Sequence, residues 1–155
     1  MLAAAVRDCT DGKAPWPIFA HGPAGVGKTC AGLYLADRVM GSIAFMDFAA
    51  LCDRLTDIKC DRDNLTATMY WKRWAGHGLC VLDEVGLRNA ISDHQYECLQ
   101  RSIDLRTGKP LLVLSNLDLD GIAQLFDDRI ASRLAAGTVV HLDGPDQRMN
   151  RRATP

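Results

Sequence analysis

The sequence predicts an α/β fold with a mostly parallel sheet, and three observations carry that prediction. Five short apolar runs, at 17–21, 42–46, 79–83, 111–115 and 138–142, are rich in Ile, Leu, Val and Phe. Continuous runs of that kind suit strands covered on both faces. Stretches with helical spacing separate the runs, and strands alternating with helices pack as layers about a parallel sheet. A glycine-rich turn, Gly22 to Gly27, stands directly between the first run and the first helical pattern.

Taken in order, residues 1–14 are expected to form a short helix or an extension ahead of the first strand. The next helical pattern puts Leu35, Ala36, Val39 and Met40 on one face. After the second strand two patterns follow, near 47–59 and 64–75, where a simple crossover needs one helix. Phe48, Leu51, Cys52 and Leu55 take the i, i+3, i+4, i+7 spacing of a buried stripe, and Ala67, Tyr70, Trp71 and Trp74 repeat it. Beyond the third strand, Ser92-Asp93-His94-Gln95 is a capping box that opens a helix with Tyr96, Leu99 and Ile103 on one stripe. Gly108-Lys109-Pro110 ends that helix before the fourth strand. A final helix is expected to start near Asp127 and lead to the fifth strand. Residues 146–155 read as a tail with a frayed end.

At 155 residues, 48% apolar and 24% charged, the chain reads as one globular domain at 15–145 with short flanks. Eighteen Lys and Arg against 19 Asp and Glu give a net charge of −1. That balance excludes a protein working mainly as a polycation on nucleic acid or anionic lipid, but it allows a local basic patch. No apolar run approaches the roughly 20 residues of a membrane-spanning helix. The amino end lacks the basic start and long apolar middle of a signal peptide. A cytoplasmic protein with no membrane partner is therefore expected. The cysteines, at 9, 30, 52, 60, 80 and 98, form no CxxC pair, so reduced thiols are expected rather than a zinc site or disulfides.

The chemistry begins at Gly22-Pro23-Ala24-Gly25-Val26-Gly27-Lys28-Thr29, a GxxxxGKT match set between a strand and a helix. Glycines let the backbone curl so that successive N–H groups point inward, and the helix N-terminus adds its positive dipole end. Lys28 is expected to reach the β- and γ-phosphates of a nucleotide, and Thr29 to hold Mg²⁺ through its hydroxyl. Gly22, Ala24, Gly25, Val26, Gly27 and Cys30 complete the expected binding set. In Leu79-Cys80-Val81-Leu82-Asp83-Glu84, a strand ending in an acid places a carboxylate at the sheet's carboxyl edge, where ligands of open α/β sheets bind. Asp83 is the candidate metal carboxylate, acting through water. Glu84 is the candidate to polarise a water for attack on the γ-phosphate, which favours hydrolysis over transfer to a small molecule.

Asn116 ends the run 111–115 and would help orient that water if its strand lies beside the first. The other reading is a turn-starting asparagine before Leu117-Asp118. Arg129 and Arg133 stand four apart on one helical face, where an arginine can meet developing phosphate charge in cis or from a neighbour. Two solvated arginines, one paired with Asp127 or Asp128, are the alternative.

Taken together, GPAGVGKT, Phe45-Met46-Asp47-Phe48 with Leu51, VLDEVG, LLVLSNLD and DDRIASRL resemble the AAA+ ATPases of the DnaC-type helicase-loader and IstB-type transposition-helper group. The resemblance implies a P-loop NTPase fold, three-layer α/β/α with a five-stranded mostly parallel sheet, of AAA+ type without a separate lid domain. It implies ATP and Mg²⁺ as cofactors, and ATP hydrolysis. It also implies that Asn116 is sensor 1 and that Arg133 is an arginine finger reaching a neighbouring subunit's nucleotide, with Arg129 as its companion. Arg148 falls at a sensor-2-like position. The paired helices at 47–59 and 64–75 resemble the initiator-clade insertion, with Lys72 and Arg73 as candidate single-stranded DNA contacts. A solvated face beside the Tyr70, Trp71 and Trp74 stripe is the other reading of those two residues. The implied partners are further copies of the chain, single-stranded DNA, and a replicative helicase or a transposase. Two other classes stay open: a small P-loop kinase, and a nucleotide-gated binding module with negligible turnover.

Overall fold

Each of the five apolar runs forms a strand: β1 (Ile18–His21), β2 (Ile43–Asp47), β3 (Leu79–Val85), β4 (Leu111–Ser115) and β5 (Thr138–His141). The computed structural model describes residues 1–39, 41–60, 66–87 and 90–147. Met40 and the expected frayed end therefore lie outside the described residues. Every strand pair is parallel, in the order β2-β3-β4-β1-β5. The helices are α1 (Leu2–Thr10), α2 (Lys28–Ala36), α3 (Phe48–Cys60), α4 (Ala67–Gly76), α5 (Asp93–Asp104), α6 (Leu119–Leu125) and α7 (Asp128–Ala135).

The pleat sends alternate residues of each strand to opposite faces, and each face has its own core. Phe19, Cys80, Leu82, Leu111 and Val113 face one layer, where Leu51, Leu55, Trp71, Trp74, Leu99, Ile103, Ile130 and Leu134 cover them. Ile18, Ala20, Val81, Leu112 and Leu114 face the other, against Leu2, Cys9, Leu35 and Ala36. The result is three layers, α/β/α. Parallel strands need crossover helices, and those helices bury both faces, which is why the strands read as continuous apolar runs.

Local signals place the helices closely. Ser92 Oγ accepts from the Gln95 N–H while Gln95 Oε1 accepts from the Ser92 N–H at 3.0 Å, so the capping box forms. Asp127 caps α7, its Oδ1 accepting from the Ile130 N–H at 2.8 Å. The crossover from β2 to β3 does carry two helices, α3 and α4. Two features depart from the expected pattern. Helix α6 was not expected; its seven residues rest on the Asp118 cap, which accepts from the Gly121 N–H at 2.8 Å, and on buried Ile122 with Leu119 and Phe126 packed against the same core. Strand β3 continues past Asp83 through Glu84 and Val85, where the register with β4 shifts between Leu82 and Val85. That shift is a bulge, and bulges re-aim side chains beside sites.

At the opposite end of the sheet, Arg106 is 1% exposed and donates to four main-chain carbonyls. These are Ala75 O (3.3 Å), His77 O (2.6 Å), Gly78 O (3.4 Å) and Pro110 O (2.6 Å). Gly78 and Pro110 directly precede β3 and β4, so the guanidinium ties the amino ends of the central strands to the end of α4. No sequence motif marks this residue.

Candidate functional site

Strand order builds the site. Because β4 lies between β1 and β3, the carboxyl ends of all three converge, and Asn116 meets the condition for standing beside the phosphate loop. That loop, 22–27, joins β1 to α2. Gly27 is the N-cap of α2 with φ +95°, and a Cβ there would meet nothing within 4 Å. The backbone conformation, not crowding, requires glycine at this position. Gly22 is required by close approach: a Cβ on it would lie 1.9 Å from Leu142 O.

Lys28 opens α2 and is 8% exposed, its Nζ donating to Gly22 O at 2.7 Å and Pro23 O at 2.8 Å. These charge-assisted bonds fold the loop around its own cation. Ala24, Gly25, Gly27, Lys28, Thr29 and Cys30 form one wall of a cleft of about 410 Å³. Asp83, Glu84 and Asn116 form the other, so the structure brings these nine expected residues together. Gly22 and Val26 belong to the loop without lining the cleft. Leu87, Ser115 and Gln147 also line it, and no sequence signal pointed to them.

Asp83 is buried, and its Oδ1 accepts from the Glu84 N–H at 2.9 Å. Glu84 is exposed toward the cleft with φ +57°, a left-handed conformation that bulky side chains rarely adopt. Such a conformation persists only where its surroundings hold it, and it clusters at functional sites. The donor set suits Mg²⁺, a hard ion that keeps several waters and takes few protein oxygens. Thr29 supplies a hydroxyl and Asp83 a buried carboxylate in the same cleft. Among the described residues no group of three or more His, Cys, Asp or Glu could hold a metal by itself. Of the five described cysteines, all free thiols, Cys30 alone is exposed.

His21 precedes the loop and stacks on His141 with ring centroids 4.9 Å apart. Burial first, then the His141 ring, hold its imidazole below the ordinary value; Asp118 opposes this and Lys28 adds to it. The chain also returns over the loop after β5. The Gln147 N–H donates to Gly25 O at 3.0 Å, and a Cβ on Gly25 would lie 2.0 Å from Asp146 Oδ1. An acid thus sits against the loop at 22–27 from 121 residues away in sequence.

The arginines stand elsewhere. Neither Arg129 nor Arg133 lines the cleft. Arg133 is ion-paired with Asp104 on α5, rather than with Asp127 or Asp128. Arg129 lies by the Tyr96–Asp127 pair, in which the Tyr96 hydroxyl donates to Asp127 Oδ2 at 2.7 Å. Lys72 and Arg73 are exposed on α4, whose Trp71 and Trp74 are buried. Arg148 lies outside the described residues.

No family model and no curated protein sequence matches the chain. Solved structures do. AMPPCP-bound DnaA from Aquifex aeolicus superposes with a TM-score of 0.74 at 17% identity, over 91% of this chain and 45% of that one. A DnaC helicase loader gives 0.73 at 18% identity, over 92% of this chain and 88% of that one. DnaI gives 0.67 at 20%, over 92% and 82%. The chain spans less than half of the DnaA chain it matches. From the all-parallel sheet, the loop between β1 and α2, and these superpositions, the chain has the AAA+ P-loop NTPase fold, shared with these DnaA, DnaC and DnaI structures.

Proposed function

We propose that the chain is an ATP-hydrolysing AAA+ module that assembles with its own copies on single-stranded DNA to load or remodel a partner such as a replicative helicase or a transposase. One observation carries the reading: Lys28, Thr29, Asp83, Glu84 and Asn116 come from three different strand ends into one cleft. Similar structures support its coarser part. One is a DnaA bound to AMPPCP and single-stranded DNA, and another is an Aeropyrum pernix Orc1 in complex with DNA.

In this reading the loop residues Gly22, Ala24, Gly25, Val26, Gly27 and Cys30 receive ATP. Lys28 exchanges its two carbonyl partners for phosphate oxygens. Thr29 and Asp83 hold the magnesium ion, which neutralises phosphate charge when bound. Glu84 accepts a proton from the attacking water, and Asn116 keeps that water in line. Arg133 leaves Asp104 to meet the γ-phosphate held by a neighbouring copy, with Arg129 beside it. Lys72 and Arg73 face DNA phosphates, and Arg148 acts as the sensor-2-like arginine. No helix among the described residues is long and apolar enough to cross a membrane, and the reading places the chain in the cytoplasm.

The test is ATP turnover with and without single-stranded DNA, measured alongside mass in solution. Turnover rises with assembly, and Arg133→Ala loses it. Full turnover by a dilute, monomeric Arg133→Ala protein overturns the finger in trans. Tight ATP binding without hydrolysis, with DNA and oligomers present, selects a nucleotide-gated module instead. A phosphorylated small molecule selects a kinase.

A further inference from the structure

We propose that Ser115 is a positioning residue for hydrolysis, whose buried hydroxyl fixes Glu84 and Asn116 relative to each other. The inference rests on the roles of those two residues proposed above. Ser115 ends β4 and is fully buried. Its Oγ donates to Val85 O at 2.6 Å and accepts from the Leu117 N–H at 2.9 Å. Its own carbonyl accepts from the Gly22 N–H at 3.3 Å. One residue therefore bonds to the bulge of β3, to the turn carrying Asn116, and to the start of the phosphate loop.

Glu84 shows why the hydroxyl matters. Its left-handed backbone is unfavourable for a residue with a side chain, so the flanking groups must hold it there. On one side Asp83 Oδ1 accepts the Glu84 N–H. On the other, the Val85 carbonyl is held by Ser115 at the point where the shifted register pairs Val85 with Ser115. Asn116 is bracketed in the same way, between Ser115 itself and Leu117, whose N–H ends on the same oxygen. The bond from Gly22 is different, because it uses the Ser115 main chain and survives loss of the side chain. Ser115→Ala leaves that link intact but strips the partner from the Val85 carbonyl and the Leu117 N–H. The bulge can then relax toward regular register, turning Glu84 away from the cleft while Lys28 and the loop remain.

The test compares wild type, Ser115→Ala, Ser115→Thr, Glu84→Gln and the Ser115→Ala/Glu84→Gln double variant. Single-turnover ATP hydrolysis and binding of a fluorescent ATP analogue are measured for each. Ser115→Ala lowers the hydrolysis rate about tenfold and leaves the analogue's Kd within about twofold. Ser115→Thr keeps the hydroxyl and restores most of the rate. On the Glu84→Gln background Ser115→Ala costs clearly less than on wild type, because only its effect through Asn116 remains and residues acting as a unit are non-additive. Amide exchange gives a readout independent of turnover. The Glu84 and Leu117 N–H groups exchange about tenfold or more faster in Ser115→Ala, while that of Phe19 in β1 is unchanged.

An unchanged rate overturns the proposal. So does an equal loss on both backgrounds, or a rate and a Kd that move together. If the wild type never hydrolyses ATP, the proposed function fails. Unchanged exchange at Glu84 and Leu117 then overturns the positioning role on its own.

Discussion

Two buried cations stand at opposite ends of one sheet, Arg106 at the amino ends of β3 and β4 and Lys28 at the carboxyl end of β1. Both donate to main-chain carbonyls, and both are nearly inaccessible, at 1% and 8% exposure. Their settings differ. Arg106 presents a planar fork of donors to four carbonyls inside a closed corner, and nothing there invites exchange. Lys28 holds two carbonyls at the wall of a cleft of about 410 Å³, beside two carboxylates and a strained backbone. Burial and hydrogen bonding do not by themselves mark a structural charge. What separates the two is whether the cation's partners can be replaced from outside.

The largest expected effect is at the closed end. Arg106→Ala takes a donor from four carbonyls, of which Pro110 O keeps the Cys80 N–H and Ala75 O the Lys109 ammonium, and lowers unfolding free energy by about 3 kcal/mol, read by chemical denaturation. Nucleotide affinity per folded molecule should not change. Lys28→Ala reverses that pattern: ATP binding weakens about 100-fold by titration calorimetry, while stability stays within about 1 kcal/mol of wild type. If Arg106→Ala loses binding and not stability, the contrast between the two cations is wrong.

Glu84→Gly sharpens the contrast further. Removing the side chain from a left-handed position raises stability by about 0.5–1 kcal/mol and abolishes turnover, the pattern of strain kept for function. Equal or lower stability would show that the bulge is not strained.

The smallest effect lies at the cap of α7. Burial pushes the Asp127 carboxyl up, but the Ile130 N–H, the Tyr96 hydroxyl, the Arg129 N–H and the Arg129 charge together outweigh it, and the carboxyl sits below its ordinary value. Asp127→Ala costs about 1 kcal/mol at neutral pH. A group depressed on folding stabilises fully above its unfolded value and loses that contribution as pH falls through its folded one. The gap between wild type and variant therefore closes on acidification below the usual carboxylate range. A gap that holds at low pH would assign the effect to packing.

The phosphate loop was legible because its eight residues are consecutive, and the backbone conformations they need are set by glycine at the same positions. The five strands were legible because covered strands are apolar throughout. Asn116 was only conditionally legible: its place in the cleft depends on β4 lying beside β1, and strand order is a long-range property. The Arg133–Asp104 pair was not legible, because an ion pair between residues 29 apart on two helices leaves no spacing pattern, whereas Arg129 does keep the local neighbour Asp127. Helix α6 escaped notice since its seven residues make too few turns for the Leu119, Ile122 and Phe126 spacing to stand out.

The sequence by itself determined that a glycine-rich loop follows the first strand, that an acidic pair stands at the end of the third, and that strands alternate with helices. Each follows from chemistry between near neighbours in the chain. Tertiary structure alone decided the left-handed turn at Glu84, its tie through Val85 to Ser115 thirty residues on, and the approach of Asp146 to Gly25. These depend on which strand ends the sheet places side by side, and side-by-side placement is settled only when the whole core packs.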